Sequence, residues 1–398
     1  MTTPIISLTA ARALHLAAQG LLSPLKRQAK PDDVVSAIQR MGLLQIDTIS
    51  VVARSPYLVL FSRLGAYQSE WLEQALAGRK LFEYWAHEAC FLPIDDFGLL
   101  RHRMLAPHDM GWKYSADWVQ QHQAAMDSLL RHIEQQGPVR SADFSAEKKG
   151  NSGWWDWKPE KRHLEILFTA GKLMVAERRN FHRVYDLTER LLPAWDDARH
   201  TLPAEQARRQ MLRRTCRYLG IFRAEWLADY YRLKRVAPKA LLAELQEQGE
   251  ITPVQVEGLE GPFYVHESLA ELLPLAEQGK LKSTVTSLLS PFDPVVWDRR
   301  RALELFNFDY RWSVIRRKKN AAMGTSPCRC CTAVSWWGAL TPRRTVARGC
   351  SRSSVSMRSR RCASANSGRR ISGRPSCVRP NARCATRRAG RHSGGVGR

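Results

Sequence analysis

Beyond Arg311 this 398-residue chain contains no aspartate, glutamate, glutamine, phenylalanine or tyrosine. It has a single leucine there, Leu340, and no lysine after Lys319. Such a composition buries too little apolar surface to offset the entropy of ordering, so residues 312–398 are excluded from a packed core. Three readings fit that stretch: a basic arm for nucleic acid, a metal cluster around Cys328, Cys330 and Cys331, or an out-of-frame translation of GC-rich DNA. The cysteines Cys328, Cys330, Cys331, Cys350, Cys362, Cys377 and Cys384 are irregularly spaced. Their C-x-C-C run lacks the paired C-x-x-C spacing of a zinc site. The out-of-frame reading is favoured, and the tail carries no part of the functional argument.

Other absences narrow the rest. Only Cys90 and Cys216 fall within residues 1–311, which excludes a disulfide framework and points to a reduced, cytoplasmic setting. No apolar run is long enough to span a bilayer, so no membrane association is expected. Residues 5–22 are interrupted by Arg12, His15 and Gln19 and read as an amphipathic helix rather than a signal peptide. There is no G-x-x-x-x-G-K-[ST] loop, no G-x-G-x-x-G and no H-E-x-x-H helix, so neither a nucleotide cofactor nor a metal is expected. The body also lacks a large charge imbalance. The whole chain is +24, but residues 312–398 hold 21 of the 62 Lys and Arg and none of the 38 Asp and Glu, leaving 62 − 21 − 38 = +3 for residues 1–311. Any affinity for nucleic acid must therefore come from local basic patches.

What is present is a recurring unit of helices followed by a strand pair. The fold class expected is mainly α with small β-hairpins, as three tandem winged helix-turn-helix units. In the first unit, Val34, Val35, Ile38 and Met41 form a helical stripe ended by Gly42. Helices follow at 55–64 and 70–77, then a strand pair at 80–93. The second unit has a helix at 161–170 and a hairpin at 171–186. The third has helices at 205–219, 224–231 and 238–248, then strands between 249 and 265. A helix at 120–136 links the first two. The domains are placed at 1–115, 116–200 and 201–280, with 281–311 opening a further domain that the tail at 312–398 does not complete.

Several residue groups are candidates for chemistry. Gln45, Ile46 and Asp47 follow the Gly42 turn. In an extended segment Gln45 and Asp47 share a face while Leu44 and Ile46 pack inward. A carboxylate beside an amide suits holding one water, but Asp47 suits equally the N-cap of a following helix. His87 and Glu88 read as a proton-transfer pair, a DNA-touching wing, or one polar face of a half-buried strand, the last being favoured. Arg178, Arg179, His182 and Arg183 sit in the second hairpin with Phe181. Arg208, Arg209, Arg213, Arg214 and Arg217 lie along one helix, and Arg299, Arg300 and Arg301 follow Trp297. Such residues suit phosphate contacts, or a solvated face balanced by acids. Trp154, Trp155 and Trp157 suit base stacking or, preferably, an interdomain plug.

The stretch Gly42-Leu-Leu-Gln-Ile-Asp-Thr-Ile-Ser-Val-Val-Ala-Arg54 with Ser55-Pro56-Tyr57 resembles the YcaQ branch of the AlkZ/YcaQ DNA glycosylases. So do Glu83-Tyr-Trp-Ala-His-Glu-Ala89, Ser152-Gly-Trp-Trp-Asp-Trp-Lys158, Arg183-Val-Tyr-Asp-Leu-Thr-Glu-Arg190 and Leu289-Ser-Pro-Phe-Asp-Pro-Val-Val-Trp-Asp-Arg299. The resemblance covers residues 1–311. It implies three tandem winged helices with a C-terminal β-rich domain, here missing, so that part of the DNA cradle is absent and the activity of this form is in question. It implies excision of N7-alkylated guanine and unhooking of interstrand crosslinks, with double-stranded DNA as the partner and the chain acting as a monomer. Gln45 and Asp47 take the catalytic positions. Arg54, Tyr57, His87, Arg178, Arg179, His182 and Arg183 are the expected DNA-binding residues. A crosslinked base cannot swing fully out of the duplex, so an open groove is expected.

Overall fold

Pro31 opens the helix Pro31–Met41, and Gly42 ends it in the left-handed region at φ 78°. Proline suits a first helical turn because its missing N–H has no intrahelical partner there. Val34, Ile38 and Met41 form the fully buried face of the helix. A Cβ on Gly42 would lie 2.2 Å from the ring of Tyr218. The position therefore needs glycine twice: for its backbone angle and for the aromatic ring of a distant helix. Gly42→Ala is expected to cost at least about 2 kcal/mol, from the strained φ and the clash together. Denaturant unfolding would measure it, and a loss below about 0.5 kcal/mol would contradict this account of the turn.

The computed structural model describes residues 3–50, 52–144, 159–235, 238–309 and 338–339. All fall in one compact unit, Met1–Ala347; a second, Arg348–Arg398, lies outside the described residues, as do the tail cysteines and the Trp154, Trp155 and Trp157 cluster. The described residues are mainly helical with small sheets. β1 (Ile5–Ile6) opens the chain. β2 (Leu44–Gln45), β3 (Leu81–Trp85) and β4 (Ala89–Pro93) form a sheet in the order β2-β4-β3. β5 (Leu173–Arg179) and β6 (His182–Leu187) form an antiparallel hairpin. β7 (Ile221–Phe222), β8 (Ile251–Val256) and β9 (Phe263–His266) join β1 in the order β1-β8-β9-β7. Finally β10 (Leu288–Leu289) pairs with β11 (Gly338–Ala339).

Helices stand where the periodicity predicts, with shifted ends. The linking helix runs Ala116–Gln136, earlier than expected, because the Ser115 hydroxyl caps it by accepting from the Trp118 N–H. The segment predicted as one helix over 224–231 is a short α-helix, Ala224–Leu227, continued by a 3₁₀ turn, Ala228–Tyr231.

The first and third helix-hairpin units are locked together. β1 pairs in parallel with β8, Ile5 opposite Gln255 and Ile6 opposite Val256. The Gln19 amide donates to the Tyr218 carbonyl at 2.6 Å, and the Tyr230 hydroxyl donates to the Met41 carbonyl at 2.6 Å. The residues after 281 are tied down as well. Arg63 is buried and donates to Asp293 at 3.0 Å and to the Gln19 carbonyl at 3.1 Å. Leu289, Val295 and Val296 pack on Leu16 and Leu21. The Pro-Phe-Asp-Pro turn is thereby an anchored wall of the body.

Candidate active site and nucleic-acid interface

Beyond β2 one further ladder bond forms, from the Ile46 N–H to the Ala89 carbonyl at 2.7 Å. The chain then leaves the sheet. An Asp47 carboxylate oxygen accepts from the Ile49 N–H at 2.7 Å, an Asx turn that fixes the side chain. Asp47 caps no helix: the next one begins at Ser55, with Arg54 at its N-cap. The expected alternation is also incomplete. Leu43, Leu44 and Gln45 are all buried, because the β2 strand is only two residues long and lies between β4 and helix Ser55–Leu64. Gln45 faces inward and Asp47 is half-buried beyond it.

The environment of Asp47 is unusual for a carboxylate. Burial raises its pKa, against a smaller lowering by the Ile49 N–H, and no basic side chain among the described residues contributes. Asp47 is thus a partly desolvated carboxylate on which no basic side chain among the described residues acts. An anion in that state favours a nearby cation more than a solvated carboxylate does.

His87 occupies the β3–β4 turn and is buried, not exposed on a wing. Its Nδ1 lies 3.1 Å from the Asp229 carbonyl, and its ring stacks on Trp297 at 4.0 Å. Burial first, then Arg232, pushes its pKa down to about 3, although the Asp229 carbonyl opposes this. A neutral buried imidazole is a packing joint between the turn, the third unit and Trp297, so direct DNA contact by His87 does not follow from this placement. Its neighbour Glu88 pairs with Arg232 at 3.4 Å.

The other candidates meet at the β5–β6 tip. Asn180 and Phe181 have φ 51° and 68°, the two-residue turn that matches strand twist. The Phe181 ring sits 4.3 Å from the Arg54 guanidinium, 4.4 Å from that of Arg178 and 6.0 Å from the ring of Tyr57. Arg54 also closes the loop after Asp47 through a bridge to Ser50. The Tyr57 hydroxyl donates to Glu73. Arg178 and Arg183 both donate to Glu83, at 2.8 and 2.9 Å, and Arg183 also to Glu165 at 2.9 Å. Arg178 is buried and Arg183 nearly so, and both hold the hairpin to β3. Arg179 and His182 stay exposed at the tip, Arg179 beside Glu177. Sequence reasoning missed Glu83, although an acid in Leu81-Phe-Glu-Tyr-Trp85 was a signal that a buried cation faces it.

A family model described as DNA glycosylase AlkZ-like matches residues 38–357. That range begins before Gln45 and ends beyond the change of composition at residue 312. The chain belongs to the AlkZ-like DNA glycosylase family. Among solved structures it is similar to Streptomyces sahachiroi DNA glycosylase AlkZ, with 18% identity over 72% of this chain and 76% of that chain and a TM-score of 0.47. Membership makes this a DNA-repair hydrolase family and DNA the substrate.

Within this AlkZ-like chain the remaining basic groups are largely paired. Arg209 meets Glu244, Arg213 meets Glu250, and Arg214 meets Asp96. The acid-balanced reading of that helix therefore holds for these three. Arg301 is buried and Arg300 pairs with Glu304. Glu250, His266 and Glu267 place ligand atoms within 4.8 Å of one another, but Arg213 already neutralises Glu250 and the His266 Nδ1 engages Ser268. Among the described residues no helix is long and apolar enough to cross a membrane.

Proposed function

We propose that this chain is a monofunctional DNA glycosylase that hydrolyses the N-glycosidic bond of N7-alkylated guanine and unhooks interstrand crosslinks. The observation that carries the reading is the half-buried Asp47, on which no basic side chain among the described residues acts, two residues beyond the buried Gln45. Alkylation at N7 makes guanine cationic and a good leaving group. Its departure leaves oxocarbenium character on the sugar. Asp47 stabilises that cation and takes a proton from the attacking water, while Gln45 holds the water. Water adds to the sugar carbon as the bond to the base breaks, leaving an abasic site. No lysine adduct is required.

In this reading the three helix-hairpin units are winged helices forming an open groove. The exposed Arg179 and His182, with Arg54 behind them, contact phosphates. Tyr57, His87, Arg178 and Arg183 hold the surface in shape. Ile49 and Val52, 37% and 76% exposed on the loop after Asp47, meet the duplex beside the lesion. A monomer working in the cytoplasm on alkylated or crosslinked duplexes completes the proposal.

The test is release of free base from a duplex carrying N7-methylguanine and from a crosslinked duplex, against unmodified DNA. Sequence-selective binding to undamaged DNA without base release would replace this reading by that of a non-catalytic DNA-binding protein. A second expected result concerns the tip. Arg179→Ala should weaken binding to every duplex alike and lower the slope of log affinity against log salt by about one. An unchanged slope would remove Arg179 from the contact surface.

A further inference from the structure

Trp112 is 75% exposed, an uncommon state for so large an aromatic group. The 3₁₀ segment Pro107–Lys113 presents it, and Gly111, at φ 61° and ψ −133°, kinks the chain just before it. Only glycine adopts those angles readily, so the kink is written into the sequence. The indole rests edge-on against Trp85, with centroids 5.9 Å apart. Trp85 is itself fixed, its indole N–H donating to the Thr169 hydroxyl at 3.1 Å. The Lys113 ammonium lies 5.0 Å from the Trp85 ring and 5.2 Å from that of Trp112.

This group sits at the same end of the sheet as Asp47. Trp85 is paired with Ala89, whose carbonyl accepts from Ile46, the residue before Asp47. Two strand spacings put Trp85 about 10 Å from Ile46. Trp112 lies one ring contact beyond Trp85, on the side of the sheet end where Asp47 leaves it. Arg232, paired with Glu88 and Asp229, and Arg235, 3.7 Å from Asp229, border the same turn with partly exposed side chains. Fixed aromatic rings interleaved with cations are the pattern by which proteins stack unpaired bases and hold the adjoining phosphates.

We propose that Trp112 and Lys113 form a stacking platform for a nucleobase unpaired where the substrate duplex opens, with Lys113 meeting the adjoining phosphate. The inference rests on the reading that Asp47 marks the DNA-facing end of the sheet.

The test uses the full chain and its Trp112→Ala and Trp112→Phe variants. The probes are a single-stranded oligothymidylate and a duplex with one N7-methylguanine. Stacking should quench part of the native tryptophan fluorescence, and both variants should lack that part. Trp112→Ala should bind the single strand about tenfold more weakly, and Trp112→Phe should restore most of the affinity, because a phenyl ring still stacks. The KM for base release should rise while kcat stays close to native. Unfolding midpoints should match the native chain, because the side chain is exposed. Native affinity and native quenching in Trp112→Ala would overturn the platform. If base release depends on Asp47 but is indifferent to Trp112→Ala, the platform falls and the chemistry stands. If the native chain releases no base yet shows the Trp112-dependent quenching, the chemistry falls and the platform stands.

Discussion

Asp47→Asn is expected to slow base release from alkylated duplex DNA by about 10²–10⁴-fold, the range for losing a positioned general base and its charge. Asparagine keeps the local fold. Its side-chain oxygen can still accept from the Ile49 N–H, so the turn that places the group survives. What goes is the negative charge, and with it both proposed roles. The native enzyme should carry a matching signature in pH. In the proposed mechanism only the ionised carboxylate is active, and burial raises its pKa. The rate should therefore fall on the acid side at a pH above the ordinary aspartate value of about 3.9. The residual rate of Asp47→Asn should be flat across that window. Single-turnover rates measured at several pH values would check both statements. A native acid limb that persists in Asp47→Asn would assign it to another group.

The second large effect concerns stability. Glu83→Gln is expected to destabilise the fold by about 3–5 kcal/mol, because it strips the shared counter-charge from Arg178 and Arg183. Glu83 has no exposed side-chain surface. Burial alone would raise its pKa, but Arg178 and Arg183 outweigh burial and hold it below the usual range. Its contribution to stability is then fully present above the unfolded-state pKa. It is lost as pH falls through the lower folded-state value. Denaturant unfolding should show that acid-side loss in the native chain and not in Glu83→Gln. The same variant should disturb the β5–β6 tip and weaken DNA binding through Arg179 and His182. A variant within about 0.5 kcal/mol of native would mean that the pair contributes nothing beyond what an amide supplies.

Local signals in the sequence located most of the fold. Apolar spacing at Val34, Ile38 and Met41 marked a helix face, Gly42 marked its end, and alternation marked the hairpins. The parallel pairing of β1 with β8 was not legible. A two-residue strand has no period, and its partner lies some 250 residues away. The Arg63–Asp293 and Glu83–Arg178 pairs were hidden for the same reason: charge in a sequence shows that a partner is needed, not which one. Arg178 and Arg183, which the resemblance places at DNA, are held by Glu83 and Glu165, and His87 stacks on Trp297. At Asp47 spacing left two readings open, a helix cap or a catalytic carboxylate. The Asx turn onto Ile49, eight residues before the next helix, removes the cap. Trp112 escaped notice because nothing in a sequence shows that a tryptophan will be held outward.

The central claim is that Asp47 and Gln45 together hydrolyse the glycosidic bond. Its most direct test is a single-turnover assay on a duplex with one N7-methylguanine, comparing the full native chain with Gln45→Ala, Asp47→Asn and the double variant, with DNA binding measured alongside. The account predicts free N7-methylguanine and an intact strand bearing an abasic site from the native chain. Both single variants should lose most of the rate while binding DNA as before, and the double variant should be little worse than Asp47→Asn, because both groups act on one water. Base release at the native rate by the double variant would contradict it.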